Sequence, residues 1–242
     1  MNRTTKLILD IVMGAVIPIL ILNYLTDPLG APAAYVFSAL VPVGWIFFDL
    51  FFLTRRFNFI TAYIGLTAIV RGALAFWFVD GLLFAIKDTA GGIISTFIFA
   101  GSLAMRWPVM YYFVHQATNP DTAAREQSLT TLLREPGVFR GLQVGTLIVL
   151  VANILTSIAN FFLNLYIVVA PFGTEAFNLQ VAQVNAITRI ALTIPEFIGF
   201  FVAIWLVYRE LYRLLPAEEG KEKIESDFWE LVQRHEQAQA ES

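Results

Sequence analysis

Residues Leu142–Val169 read LQVGTLIVLVANILTSIANFFLNLYIVV, 28 consecutive positions without one Asp, Glu, Lys, Arg or His. A helix rises about 1.5 Å per residue and the hydrocarbon core of a bilayer is about 30 Å thick, so roughly 20 mainly apolar residues suffice to cross it. This stretch predicts a membrane span. Its polar residues are not scattered. Asn153, Ser157, Asn160 and Asn164 recur at intervals of four, three and four, which puts them on one helical stripe. Unpaired amides in hydrocarbon cost several kcal/mol each, so the stripe is expected to face protein or water. It serves either as the lining of a polar path or as a packing seam with interhelical hydrogen bonds of about 0.6 kcal/mol each. Gly141 and Gly145, at the start of the same run, permit close helix approach.

Working outward, the whole chain has the same character. Of its 242 residues 57% are hydrophobic and 14% charged, against roughly a quarter charged in an average soluble domain. Twenty-two Phe, with Tyr and Trp, suit a lipid-facing surface with aromatic belts. A net charge of −3 leaves no nucleic-acid footprint, and the chain has no Cys, hence no disulfide or thiolate chemistry. Further apolar runs lie at Leu7–Leu25, Ala34–Leu53, Phe59–Val79, Ala90–Met105 and Ile187–Leu206. The expected fold is therefore all-α, a polytopic bundle of six membrane helices. The first run reads as a retained span rather than a cleaved leader, because it is long and followed by polar Asn23, Asp27 and Pro32.

Basic residues set the orientation. Arg3 and Lys6 precede the first run, and Arg55 and Arg56 separate the second from the third. Arg106, Arg125, Arg134 and Arg140 surround the central connector, and Arg209, Arg213, Lys221, Lys223 and Arg234 follow the last run. The alternate connectors, 26–33, 80–89 and 171–186, hold only Lys87. Since Lys and Arg near span ends stay cytoplasmic, both termini are expected inside. The membrane domain then covers 1–214, with a cytoplasmic connector at 115–138 and a polar tail at 215–242. Asp121 is suited to cap a short helix in the connector, where Leu129, Leu132 and Leu133 share a face that either lies on the membrane surface or packs as an ordinary amphipathic connector. In the tail, Ile224, Phe228, Leu231 and Val232 stand at helical spacing, either docked or frayed.

Charges inside a bilayer are costly, at roughly 2.5–3.5 kcal/mol each on insertion scales. Arg71 and Glu196 fall at matched depth, which predicts a contact between them, with Arg189 one to two turns further out. A polar cavity or proton-linked site, as in a small-solute or proton-coupled transporter or channel using this Arg/Glu pair and the Asn-lined helix, and a register-fixing ion pair both fit. Lys87 and Asp88 sit at the outer mouth, capping the fourth span or lining an entrance. Asp10 and Asp49 lie near the cytoplasmic ends, in reach of Lys6, Arg55 or Arg56. No catalytic constellation, phosphate loop or metal-ligand spacing surrounds His115 or His235, so no enzyme, metal or cofactor is expected.

Two runs carry a resemblance. Ile17 to Gly30 (IPILILNYLTDPLG) and Phe84 to Met105 (FAIKDTAGGIISTFIFAGSLAM), closed by Arg106-Trp107-Pro108, resemble bacterial membrane proteins distantly akin to intracellular septation protein A. In that family a Lys-containing outer segment leads into a helix ending in Gly-Ser and a basic-x-Pro turn. Its next helix ends in an Asn-x-Tyr pattern similar to Asn164-Leu165-Tyr166. The long central connector and charged tail depart from it. The resemblance implies an inner-membrane location and a non-enzymatic role in envelope maintenance or division. Membrane lipids are the expected partners, with a second copy or an envelope protein beside them. It supplies no substrate and no catalytic residues.

Overall fold

The computed structural model of the chain describes residues 5, 9–54, 59–216 and 227–240, and every regular element among them is helical. In chain order, apart from the single helical turn Thr26–Leu29, these are α1 (Leu9–Tyr24), α2 (Ala31–Leu53), α3 (Phe59–Ala75), α4 (Gly81–Ala104), α5 (Val109–Thr118), α6 (Ala123–Arg134), α7 (Pro136–Ile167), α8 (Glu175–Ala191), α9 (Thr193–Leu214) and α10 (Phe228–Ala240). Wider π-type turns interrupt α1 at Val12–Val16 and end α2 at Asp49–Thr54.

Among the described residues four segments are long and apolar enough to cross a membrane: α2, α4, α7 and the continuous stretch Glu175–Leu214. Two shorter apolar helices, Leu9–Tyr24 and Ala62–Ala75, accompany them. At 32 residues, α7 extends about 48 Å, more than a bilayer core, so part of it lies beyond the hydrocarbon. Apolar side chains crowd the outside. Along one face of the Glu175–Leu214 stretch, Ile194, Phe197, Ile198, Phe201 and Trp205 are all exposed. A face this apolar suits lipid rather than water.

Two expectations are corrected. Residues 171–186 form no open connector, because α8 begins at Glu175 with Thr174 as its cap; the Phe177 amide donates to Thr174 Oγ1 at 3.1 Å. Phe177, Val181 and Val184 lie at i, i+4 and i+7 and are buried. The intervening Asn and Gln residues dilute the hydropathy that would have flagged the helix. Likewise α4 starts at Gly81, so Lys87 and Asp88 lie in its second turn and are not a cap.

The chain divides into two compact units, Met1–Phe97 with Ala152–Glu196, and Ile98–Val151 with Phe197–Ser242. The first has an aromatic core in which Phe84 and Phe177 meet edge to face at 5.1 Å and Tyr35 and Phe177 at 5.7 Å, beside buried Leu22. Asn178, fully buried, ties α8 to the chain between α1 and α2, donating to Thr26 Oγ1 and to the Ala31 carbonyl at 2.9 Å each.

In the second unit Met110, Val114, Leu129, Leu133, Leu142, Val207 and Leu211 form one core. Leu129, Leu132 and Leu133 turn into it, so α6 buries the face that a membrane-surface helix would give to lipid. Its cap is Thr122, whose Oγ1 accepts from the Arg125 amide at 3.3 Å; Asp121 instead pairs with the Arg125 guanidinium at 3.0 Å. In α10, Leu231 and Val232 are buried in the same core, so this helix is docked; Ile224 lies outside the described residues. Gly145 lets α7 approach α9 closely, since a Cβ there would stand 3.3 Å from the Ala203 carbonyl oxygen.

Candidate functional site

Within the first unit, the polar stripe of α7 lies against α4. Asn153 Nδ2 donates to the Gly92 carbonyl at 3.0 Å and to Thr96 Oγ1 at 2.8 Å. Asn160 and Asn164 both donate to one oxygen of Asp88, at 3.1 and 2.9 Å. Asn164 also donates to the Asn160 carbonyl at 2.9 Å, which stiffens the cluster. Between these two groups of bonds Ser157 packs on Gly92, where a Cβ would fall 2.0 Å from Ser157 Oγ. Only glycine admits so close an approach at that level. Every member of the stripe therefore meets α4, and Asp88 serves as its shared anionic acceptor.

Beside this seam is a cavity of about 440 Å³ walled by α1, α2, α3, α4, α7 and α8, together with the first turn of α9. Five charged side chains line it: Arg71, Lys87, Asp88, Arg189 and Glu196. Asn153, Ser157 and Asn160 reach it as well, so the stripe is both seam and cavity wall. Of the five charges, Glu196 accepts from Thr156 Oγ1 at 2.7 Å and Asp88 is held by the two Asn amides. Lys87 is buried, donates to the Trp77 carbonyl and lies over the Tyr35 ring at 4.7 Å, a cation–π distance.

Arg71 and Glu196, expected to be in contact, both line the cavity but form no ion pair. Among the described residues no ion pair within 4.0 Å joins them, because Glu196 is engaged by α7 through Thr156 while the Arg71 guanidinium lies across the backbone of α4 at Gly91. A Cβ on Gly91 would stand 3.1 Å from Arg71 Nε and 3.2 Å from Nη2. The doublet Gly91-Gly92 thus accommodates a guanidinium on one side and a serine on the other. Arg71 is near enough to Arg189 for their like charges to interact. Both are accessible, and among the described residues neither has an ion pair or a side-chain hydrogen bond.

Away from the cavity, Asp10 accepts from Trp45 Nε1 at 2.8 Å, and Asp49 opens the π-type turn that ends α2. Their expected partners Lys6, Arg55 and Arg56 lie outside the described residues. No group of three or more His, Cys, Asp or Glu among the described residues is placed to hold a metal ion.

The sequence reading overlooked Gly91, Gly92 and Thr156. The glycine doublet carried a usable signal, since each Gly inside a helix costs about 1 kcal/mol relative to Ala and two adjacent ones point to close approach. Thr156 had no such signal. Its role depends on which helix comes alongside. No protein family, curated protein or solved structure matches this chain, so nothing links it to the septation family.

Proposed function

We propose that this chain is a multi-pass membrane protein that binds a small polar solute in the cavity of its first unit and carries it across the bilayer. One observation carries the reading. Two accessible arginines, Arg71 and Arg189, enter a cavity of about 440 Å³ without an ion-pair partner among the described residues. Charges held among apolar helices are costly and mark solute or ion paths. A structural ion pair would have used Glu196 to neutralise Arg71, and Glu196 bonds Thr156 instead. The volume falls within the range of small-molecule sites.

The proposal is non-enzymatic: the cavity contributes charge, amides and hydroxyls for binding. With it goes the topology of six spans, both termini cytoplasmic, supported by the distribution of Lys and Arg; a bacterial inner membrane rests on the resemblance. The envelope role rests on the resemblance alone, and no feature of the cavity favours it.

The test is flux. Purified protein reconstituted into liposomes is expected to exchange a labelled small solute from a panel of anionic, neutral and cationic compounds. Arg71→Gln should lower that exchange at least tenfold, since losing a charged hydrogen-bonding group costs about 1.5–3 kcal/mol. Absence of exchange for the whole panel, or full exchange by the variant, would overturn the reading.

A further inference from the structure

Building on the solute-binding reading, we infer that the cavity is an oxyanion site, and that Arg71 and Arg189 together grip a phosphate or carboxylate group of a free solute. The charge balance points there. Arg71, Lys87 and Arg189 contribute three positive charges, and Asp88 and Glu196 two negative ones, so the cavity carries an excess of one positive charge. Both carboxylates are already occupied, Asp88 by Asn160 and Asn164, and Glu196 by Thr156. Lys87 is occupied as well, by the Trp77 carbonyl and the Tyr35 ring. The two arginines share the cavity with no ion-pair partner among the described residues, and Arg189 feels the like charge of Arg71 more than the opposite charge of Asp88.

Like charges that share a cavity repel, and an anion between them turns that repulsion into attraction. Guanidinium presents a planar fork that matches the paired oxygens of carboxylate and phosphate. The Ser157 hydroxyl and the Asn185 amide reach the same cavity and can donate to the remaining oxygens. Gly91 is a positioning residue. Its missing Cβ leaves room for the Arg71 guanidinium on the surface of α4.

Purified full-length protein in a neutral, lipid-depleted detergent is titrated with inorganic phosphate and, separately, acetate, with glucose and choline as neutral and cationic controls; binding is read by thermal shift. At least one of the two anions is expected to raise the melting temperature saturably, and the controls to leave it unchanged. Arg71→Gln and Arg189→Gln should each weaken that binding roughly tenfold to a hundredfold, the range for one charge-assisted group. Arg71→Lys, which keeps the charge but loses the fork, should fall between, and guards against a Gln variant that fails to fold.

No saturable shift with either anion, or unchanged affinity in both Gln variants, would overturn the oxyanion site. A shift with phosphatidylglycerol added to the micelles and none with the soluble anions would assign the oxyanion to a lipid headgroup, overturning the free solute. The flux reading is tested separately. Anion binding without exchange in liposomes would sink transport and leave the oxyanion site standing. Exchange of a neutral or cationic solute that Arg71→Gln lowers, with no saturable shift from either anion, would do the reverse.

Discussion

Asn160 and Asn164 share one oxygen of Asp88, whereas Asn153 meets only a carbonyl and a hydroxyl. Hydrogen bonds to an ionised acceptor are about twice as strong as neutral ones, so the two ends of the stripe should respond differently to substitution. Asn164→Leu, which leaves a charged acceptor short of a donor, is expected to cost about 1–3 kcal/mol. Asn153→Leu should cost closer to about 0.6 kcal/mol, the average for a neutral interhelical bond. Thermal unfolding of both variants in detergent measures the difference, and equal losses would contradict it. The glycines allow a similar ranking. Gly92→Ala drives a methyl into Ser157 and should destabilise by about 1–3 kcal/mol, the usual cost of overpacking. Adding Ser157→Gly should recover much of that loss. Gly101, in the same helix, has nothing within 4 Å of an added Cβ; Gly101→Ala should stabilise by up to about 1 kcal/mol. Gly91→Ala should disturb Arg71, a flexible side chain, more than stability, and show mainly as weaker anion binding.

At the level of elements, α8 and α10 show how packing outweighs composition. Both are too polar to be noticed by hydropathy, and both bury an apolar face: Phe177, Val181 and Val184 in α8, Leu231 and Val232 in α10. Leu231 is fully buried in the core that includes Leu129 and Leu133. Leu231→Ala is therefore expected to destabilise the second unit by about 2–5 kcal/mol, the range for buried Leu truncation. Hydrogen exchange should report the loss as faster exchange in both α6 and α10. Faster exchange in α10 alone would mean that the helix is only loosely attached. Near the end of α8, Leu192 interrupts the helix and Pro195, which lacks an amide hydrogen, follows in the first turn of α9. The break lies between Arg189 and Glu196, both of which reach the cavity.

For the molecule as a whole, the arrangement of basic residues and the turns at 76–80 and 168–174 can be tested together. Reporter fusions at those two turns are expected outside, and fusions near 119–122 and after 240 inside, if all six apolar helices cross. A reversed signal at any one position would break the six-span topology, and the same signal at both ends of a single helix would identify one that does not cross. The four long helices were legible because hydropathy sums over a single segment and needs no partner. α1 and α3 were legible as apolar runs, yet their described lengths fall short of a full crossing. The part of α8 before Ile187 was not legible as a helix, and Lys87-Asp88 was read as a connector, for one shared reason. Polar residues facing a cavity inside the protein lower local hydropathy as much as polar residues facing water do.

The sequence by itself determined that this chain is helical and suited to a membrane, and that the stripe on α7 should avoid lipid. Apolar run length and the 3.6-residue period are properties of one segment taken alone. Only the tertiary structure decided what each polar group meets. Arg71 was assigned to Glu196 because depth along a helix can be read from the chain. The actual arrangement depends on which helices are neighbours and how each is rotated about its axis, and depth encodes neither. Gly91 brings Arg71 onto α4, Thr156 draws Glu196 to α7, and Asp88 is enclosed by Asn160 and Asn164. Two arginines are left in the cavity with one excess positive charge, a balance that exists only once seven helices have come together around it.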